Sequence, residues 1–125
     1  MGKLTAKKLS AEQTEALVQG KLQWMLSLAE PLAIWLIGSA ARSEMTDLSD
    51  LDFVILFENE SIKKQSMTEI YKTPCPVEWP TDLLPYTQEE FTQSANSGGG
   101  VCWLALREGR LRYGKGPSGL SLIHI

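Results

Sequence analysis

Asp50 and Asp52 stand two residues apart in "SDLDFVILF", where polar sequence gives way to a run of apolar, strand-forming residues. Side chains two apart on a strand project from the same face, so these carboxylates are expected to point together at the start of a strand. Two ionised carboxylates about 4 Å apart repel by roughly 4 kcal/mol at an effective dielectric of 20. A site that keeps such a pair either protonates one member or holds a cation between them. With no Cys or His nearby, these hard oxygen donors favour magnesium or manganese over zinc. Upstream, Gly38 and Ser39 close the apolar stretch "LAIWLIG". A glycine ending a buried strand lets backbone approach closely, and Ser39 offers a hydroxyl and an amide at a helix start, which suits phosphate oxygens. Carboxylates on one strand and a phosphate grip on its neighbour point to phosphoryl or nucleotidyl transfer.

Other readings of these acids fit less well. The stretch from Asp47 to Glu58 has the length of a calcium loop, but Leu51 occupies a ligand position and Asp52 stands where that loop needs glycine. Asp47 reads as a turn or capping residue. "NSGGG" has neither the spacing nor the lysine of a P-loop.

The elements that must position these residues can be read from periodicity. Ser10 with Gln13 makes a capping box, and Leu17, Val18, Leu22, Met25, Leu28 and Ala29 recur at helical spacing, which predicts a helix over 11–29 stopped by Pro31. Trp24 falls at the edge of that apolar face as a packing residue. Residues 32–38 and "LDFVILF" are continuous apolar runs and predict two fully buried strands, the second central in a sheet. A short helix is expected over 40–46, and a helix or excursion over 58–70. The four prolines of "PCPVEWPTDLLPY" predict a short, edge-like or interrupted strand. Thr87 with Glu90 is a second capping box and opens a helix; Glu89 and Glu90 complement its dipole. "VCWLALRE" predicts a further short helix closed by Gly109, and "RLRYG" a terminal strand. The resulting class is α/β (α+β), a small mixed β-sheet flanked by helices.

At 125 residues the chain suits one domain, placed at 1–119. A net charge of −3 provides no basic field to gather nucleic acid, so no nucleic-acid partner is expected; the basic cluster "KLTAKK" reads as solvated. Cys75 and Cys102 fit neither a disulfide framework nor a metal pattern and are expected reduced in a cytoplasmic protein. No run reaches the roughly 18 apolar residues of a membrane span, and the N-terminus has no apolar signal core, so no membrane is expected. "LSLIHI", residues 120–125, reads as the translation of CTG TCT CTT ATA CAC ATC, which resembles a transposon-end sequencing adapter. His124, within that adapter-like tail, is given no catalytic role.

Taken together, Gly38-Ser39-Ala40-Ala41-Arg42, nine residues, then Ser49-Asp50-Leu51-Asp52 and a buried strand resemble the signature of the minimal nucleotidyltransferases (MNT) of the polymerase-beta-like nucleotidyltransferase superfamily. The resemblance is strong over 35–57 and looser across the rest of 11–114. It implies the nucleotidyltransferase fold, with ATP or another nucleoside triphosphate bound through two magnesium ions, manganese being possible. Asp50 and Asp52 would hold both ions. The family pattern calls for a third carboxylate, for which Glu78 and Asp82 compete; Asp82 matches better, being followed by Leu83, Leu84 and a "TQEEF" helix start. Asp82 would complete one metal site and take the acceptor's proton. Gly38, Ser39 and Arg42 would serve nucleotide binding, although Arg42 either contacts phosphate or pairs with Glu44. Small stand-alone members accompany HEPN-domain proteins in prokaryotic toxin–antitoxin pairs, which implies AMP transfer to a hydroxyl of such a partner. The alternatives are a small-molecule transferase of the aminoglycoside type and a catalytically inert antitoxin that binds by contact alone.

Overall fold

A computed structural model describes residues 5–115; the expected tail at 120–125 lies outside them. The chain begins with α1 (Ala11–Leu28), whose N-terminus carries the expected box: Ser10 Oγ accepts from the Gln13 amide at 3.0 Å and the Gln13 side chain accepts from the Ser10 amide at 2.8 Å. Then follow β1 (Ala33–Ile37), α2 (Gly38–Ala41), β2 (Leu51–Phe57), α3 (Glu60–Lys72), β3 (Thr81–Thr87), α4 (Gln88–Asn96), α5 (Gly100–Glu108) and β4 (Arg110–Gly114).

The four strands form one mixed sheet in the order β3-β2-β1-β4, with β2 and β3 parallel and the other pairs antiparallel. Both apolar runs become inner strands, and every residue of β1 is buried. Alternation then sorts their side chains. Ile34, Leu36, Phe53 and Ile55 pack with Val18, Leu22 and Met25 of α1 and with Met67 and Ile70 of α3. Trp35, Ile37, Val54 and Leu56 pack on the other face with Phe91 and Ala95 of α4 and Cys102 and Ala105 of α5. Trp35 and Phe91 stack with centroids 5.0 Å apart.

Three local outcomes differ from the sequence expectation. The helix expected over 40–46 is shorter and earlier. Ser43 adopts a φ of 58°, and the chain then runs back beside the segment before α1. There Leu9 N–H donates to Met45 O and Asp47 N–H to Lys7 O, each at 2.9 Å, and the Asp47 carboxylate accepts from the Lys7 amide. This pairing joins residues far apart in sequence, so a local window does not see it. The polar stretch after β2 is a regular helix, capped by Asn59. The proline-rich strand occupies the sheet edge as expected but runs for seven residues, with Pro85 tolerated there.

Candidate active site

One end of the sheet gathers the chemistry. Ile37, the last residue of β1, is the register partner of Asp52, and Asp52 is in turn the partner of Asp82 across the parallel β2–β3 ladder. A carboxylate from each strand thus meets its neighbour at the same level. Asp52 is half-buried, whereas Asp50 and Asp82 are exposed. Burial pushes the Asp52 carboxyl above its ordinary range, and the Asp82 charge, a hydrogen bond with Asp82 and the Asp50 charge push the same way. Asp52 takes the shift because it is the least solvated of the three.

The turn after β1 is built around this group. Gly38 has a φ of 75°, and a Cβ placed on it would stand 2.7 Å from Asp52 Oδ2. Only glycine lets the backbone pass so close to the carboxylate while holding a left-handed conformation. The close approach expected at this glycine is therefore to the acid itself. Ser39 is half-buried, with its hydroxyl 3.9 Å from Met45 Sδ and its carbonyl accepting from the Glu44 amide at 2.8 Å. No side chain caps the N-terminus of α2. Arg42 is exposed and its Nε donates to Glu44 Oε1 at 2.8 Å, the ion-pair alternative of the two considered for it.

Glu78 lies in the loop before β3, exposed, without a place in the ladder beside Asp52. Asp82 is the acid that the strand register brings to the pair. Among the described residues no three His, Cys, Asp or Glu side chains already stand as a metal-holding group; Asp52 and Asp82 touch, and Asp50 acts on Asp52 through its charge. The donor set is nonetheless all carboxylate oxygen, which fits a hard divalent cation, and a cation would relieve the mutual repulsion that raises Asp52.

Sequence reasoning missed what pins the two acid-bearing segments together. Trp79 Nε1 donates to the Ser49 carbonyl at 2.9 Å, and the Leu51 amide donates to the Pro80 carbonyl at 2.9 Å. Ser49 in turn accepts from the Thr46 amide at 3.0 Å, closing the turn that delivers Asp50. The signal was present as a lone Trp in a proline-rich stretch just ahead of an acid. Gly20 was missed as well. A Cβ there would collide with Val77, so α1 carries a glycine, normally worth about 1 kcal/mol against a helix, where the loop before β3 crosses it.

Paired carboxylates beside a strand-to-helix turn, at one end of a mixed sheet, make a domain suited to transferring phosphorus-centred groups. The family model described as polymerase beta, nucleotidyltransferase matches residues 21–111, a span that holds Gly38, Ser39, Arg42, Asp50, Asp52, Glu78 and Asp82. The chain belongs to that family and is a nucleotidyltransferase, with a nucleoside triphosphate as substrate. A search of curated proteins finds no match to it. No helix among the described residues is long and apolar enough to cross a membrane.

Proposed function

We propose that the protein transfers AMP from ATP to a hydroxyl acceptor, and that Asp50, Asp52 and Asp82 are the carboxylates that hold divalent cations for this reaction. The single observation that carries the reading is the Asp52–Asp82 pair, set side by side by strand register and strained by the charge of Asp50. Bound magnesium ions would supply charge neutralisation at the triphosphate and acidify the acceptor hydroxyl.

The chain's own residues do the rest. Ser39 and the uncapped amides of α2 hold the β- and γ-phosphates. Asp82, exposed at the sheet edge, accepts the proton as the acceptor oxygen attacks the α-phosphorus. The new O–P bond forms as the α–β bridging bond breaks, and pyrophosphate leaves in line. Arg42 turns from Glu44 to phosphate only by giving up its ion pair, an exposed contact worth about 1 kcal/mol or less.

For the acceptor, we favour a partner protein, with this chain as the MNT antitoxin of a HEPN/MNT pair. Its support is the resemblance over residues 35–57. Incubation with ATP labelled at the α-phosphorus, magnesium and the product of the neighbouring gene tests both levels. Label on a HEPN partner, lost in Asp50→Ala and Asp52→Ala, is the expected result. Neutralisation of the partner without label would make the protein an inert binder. Label on an aminoglycoside instead would make it a small-molecule transferase.

A further inference from the structure

Lys21 lies in the middle of α1, on the helix's buried side, and is only 5% exposed. Its ammonium has no carboxylate partner among the described residues; its contact is the face of Trp24, 5.6 Å from the ring centroid. No side-chain nitrogen or oxygen among the described residues is both sealed from solvent and unpaired. The Lys21 ammonium therefore opens onto an adjoining cleft of about 710 Å³, a size in the usual range for ligand sites. Trp24, Glu78, Trp79 and Asp82 are among the residues that line the cleft.

The walls are fixed rather than adaptable. Trp24 Nε1 donates to the Thr73 carbonyl and Trp79 Nε1 to the Ser49 carbonyl, each at 2.9 Å. Gly20 lets Val77 close on α1 one residue before Lys21. Both indoles thus spend their donors on backbone and leave their rings to the cleft. Asp82 stands in the strand that borders the cleft, but alternation turns its side chain and that of Asp52 to the face of Val54 and Leu84, whereas Leu83, Trp24 and Trp79 pack on the face of α1 and α3.

We propose that this cleft is a ligand pocket on the sheet face opposite the acid pair, and that it takes a group presenting a flat ring together with one anionic substituent. The anion pairs with Lys21 and the ring lies against Trp24 and Trp79. Lys21 is the one cation among the described lining residues, so its ammonium selects the ligand's charge. The same chemistry occurs in a free aromatic acid and in an acidic residue next to an aromatic one on a partner chain.

The protein's four tryptophans give the readout. The indole N–H signals of the ¹⁵N-labelled full chain, in magnesium, are followed while benzoate, phenyl phosphate, benzylamine or the blocked dipeptide acetyl-Glu-Phe-amide is added. Saturable shifts of the Trp24 and Trp79 signals with the anions, and not with benzylamine, are expected. Trp35, buried on the other face, and Trp103, held under Arg107, should stay still. A stronger response to the dipeptide than to the free acids assigns the ligand to a polypeptide, and the reverse assigns it to a small molecule. Lys21→Gln should weaken the anion response at least tenfold, and Lys21→Arg, which keeps the charge, should retain it even if the Gln variant fails to fold. Equal responses to benzylamine and benzoate, or an anion response lost equally in Lys21→Arg, would overturn the proposal. Calorimetry of Mg–ATP with the unaltered protein separates the two readings. If ATP binds and no anion does, only this pocket falls; if ATP fails to bind, the transferase reading falls and the titration still decides the cleft.

Discussion

Gly38 carries two constraints at once, a left-handed φ of 75° and an Asp52 oxygen where its side chain would be. An alanine there costs about 1–2 kcal/mol for the backbone alone, and its methyl must also displace the Asp52 carboxylate. Gly38→Ala should therefore lower stability by at least that amount in urea titrations and weaken Mg–ATP uptake as well. Unchanged stability together with unchanged uptake would show that the turn tolerates a side chain. Asp52 gives a second test, in the opposite direction. Its carboxyl is raised above its ordinary value of 3.8, mainly by burial, so the folded chain binds the proton more readily than the unfolded one. Above that value, ionised Asp52 costs the folded state; the cost fades as pH falls and both states become protonated. Without divalent cation, Asp52→Asn should raise the melting temperature at pH 7.5, with the gain shrinking towards pH 4. The group is partly solvated, so the gain should stay under about 1 kcal/mol. A variant that melts lower at every pH would argue against a penalised carboxylate.

At the scale of elements, the site depends on how the segment before β3 is tied to the segment before β2. Trp79→Phe keeps a ring in place and removes the indole donor to Ser49, which should cost about 1 kcal/mol of stability. It should also weaken the response to magnesium more than it weakens the fold, because Asp50 follows Ser49 directly. Comparing chemical denaturation with a magnesium titration of ATP uptake separates the two effects. The other end of β3 has its own tie. Glu90 Oε1 accepts from the Thr87 amide and from Lys63 Nζ, each at 2.9 Å, so the α4 cap also reaches α3. Thr87→Ala should lose about 1 kcal/mol, as N-cap removals do, in the same denaturation assay. These ties mark the limit of what the sequence disclosed. Both capping boxes, the two buried strands and the Asp50–Asp52 spacing were legible because each is written within a few residues. The same local signals placed Asp82 on an edge strand but not opposite Asp52, since parallel register is decided by α3 and its loops. Gly20 and Trp79 carried no local signal of their contacts, because what they touch lies 30 or more positions away. The short helix at 40–46 failed for the same reason, through pairing with the chain before α1.

Across the whole molecule, helices cover both faces of the sheet, α1 and α3 on one and α4 and α5 on the other. The end that carries Gly38, Asp52 and Asp82 is where strands begin or finish, so the acids can be charged without cutting into either core. A ligand bound there bridges β1, β2 and β3 and should stabilise all three together. For one site, ligand at 100 times its dissociation constant adds about 2.7 kcal/mol to the folded state. With about 4 °C per kcal/mol for a domain of this size, Mg–ATP at saturation should raise the melting temperature by roughly 10 °C. Three variants divide the effect. Asp50→Asn, Asp52→Asn and Asp82→Asn should each abolish most of the shift, because each removes a donor from the proposed cation site. Glu78→Gln, outside the ladder, should keep it. A full shift in Asp82→Asn with loss in Glu78→Gln would move the third carboxylate from the strand to the loop. A shift of the same size with ATP and EDTA as with ATP and magnesium would mean that the triphosphate binds without the cations the carboxylates are proposed to hold.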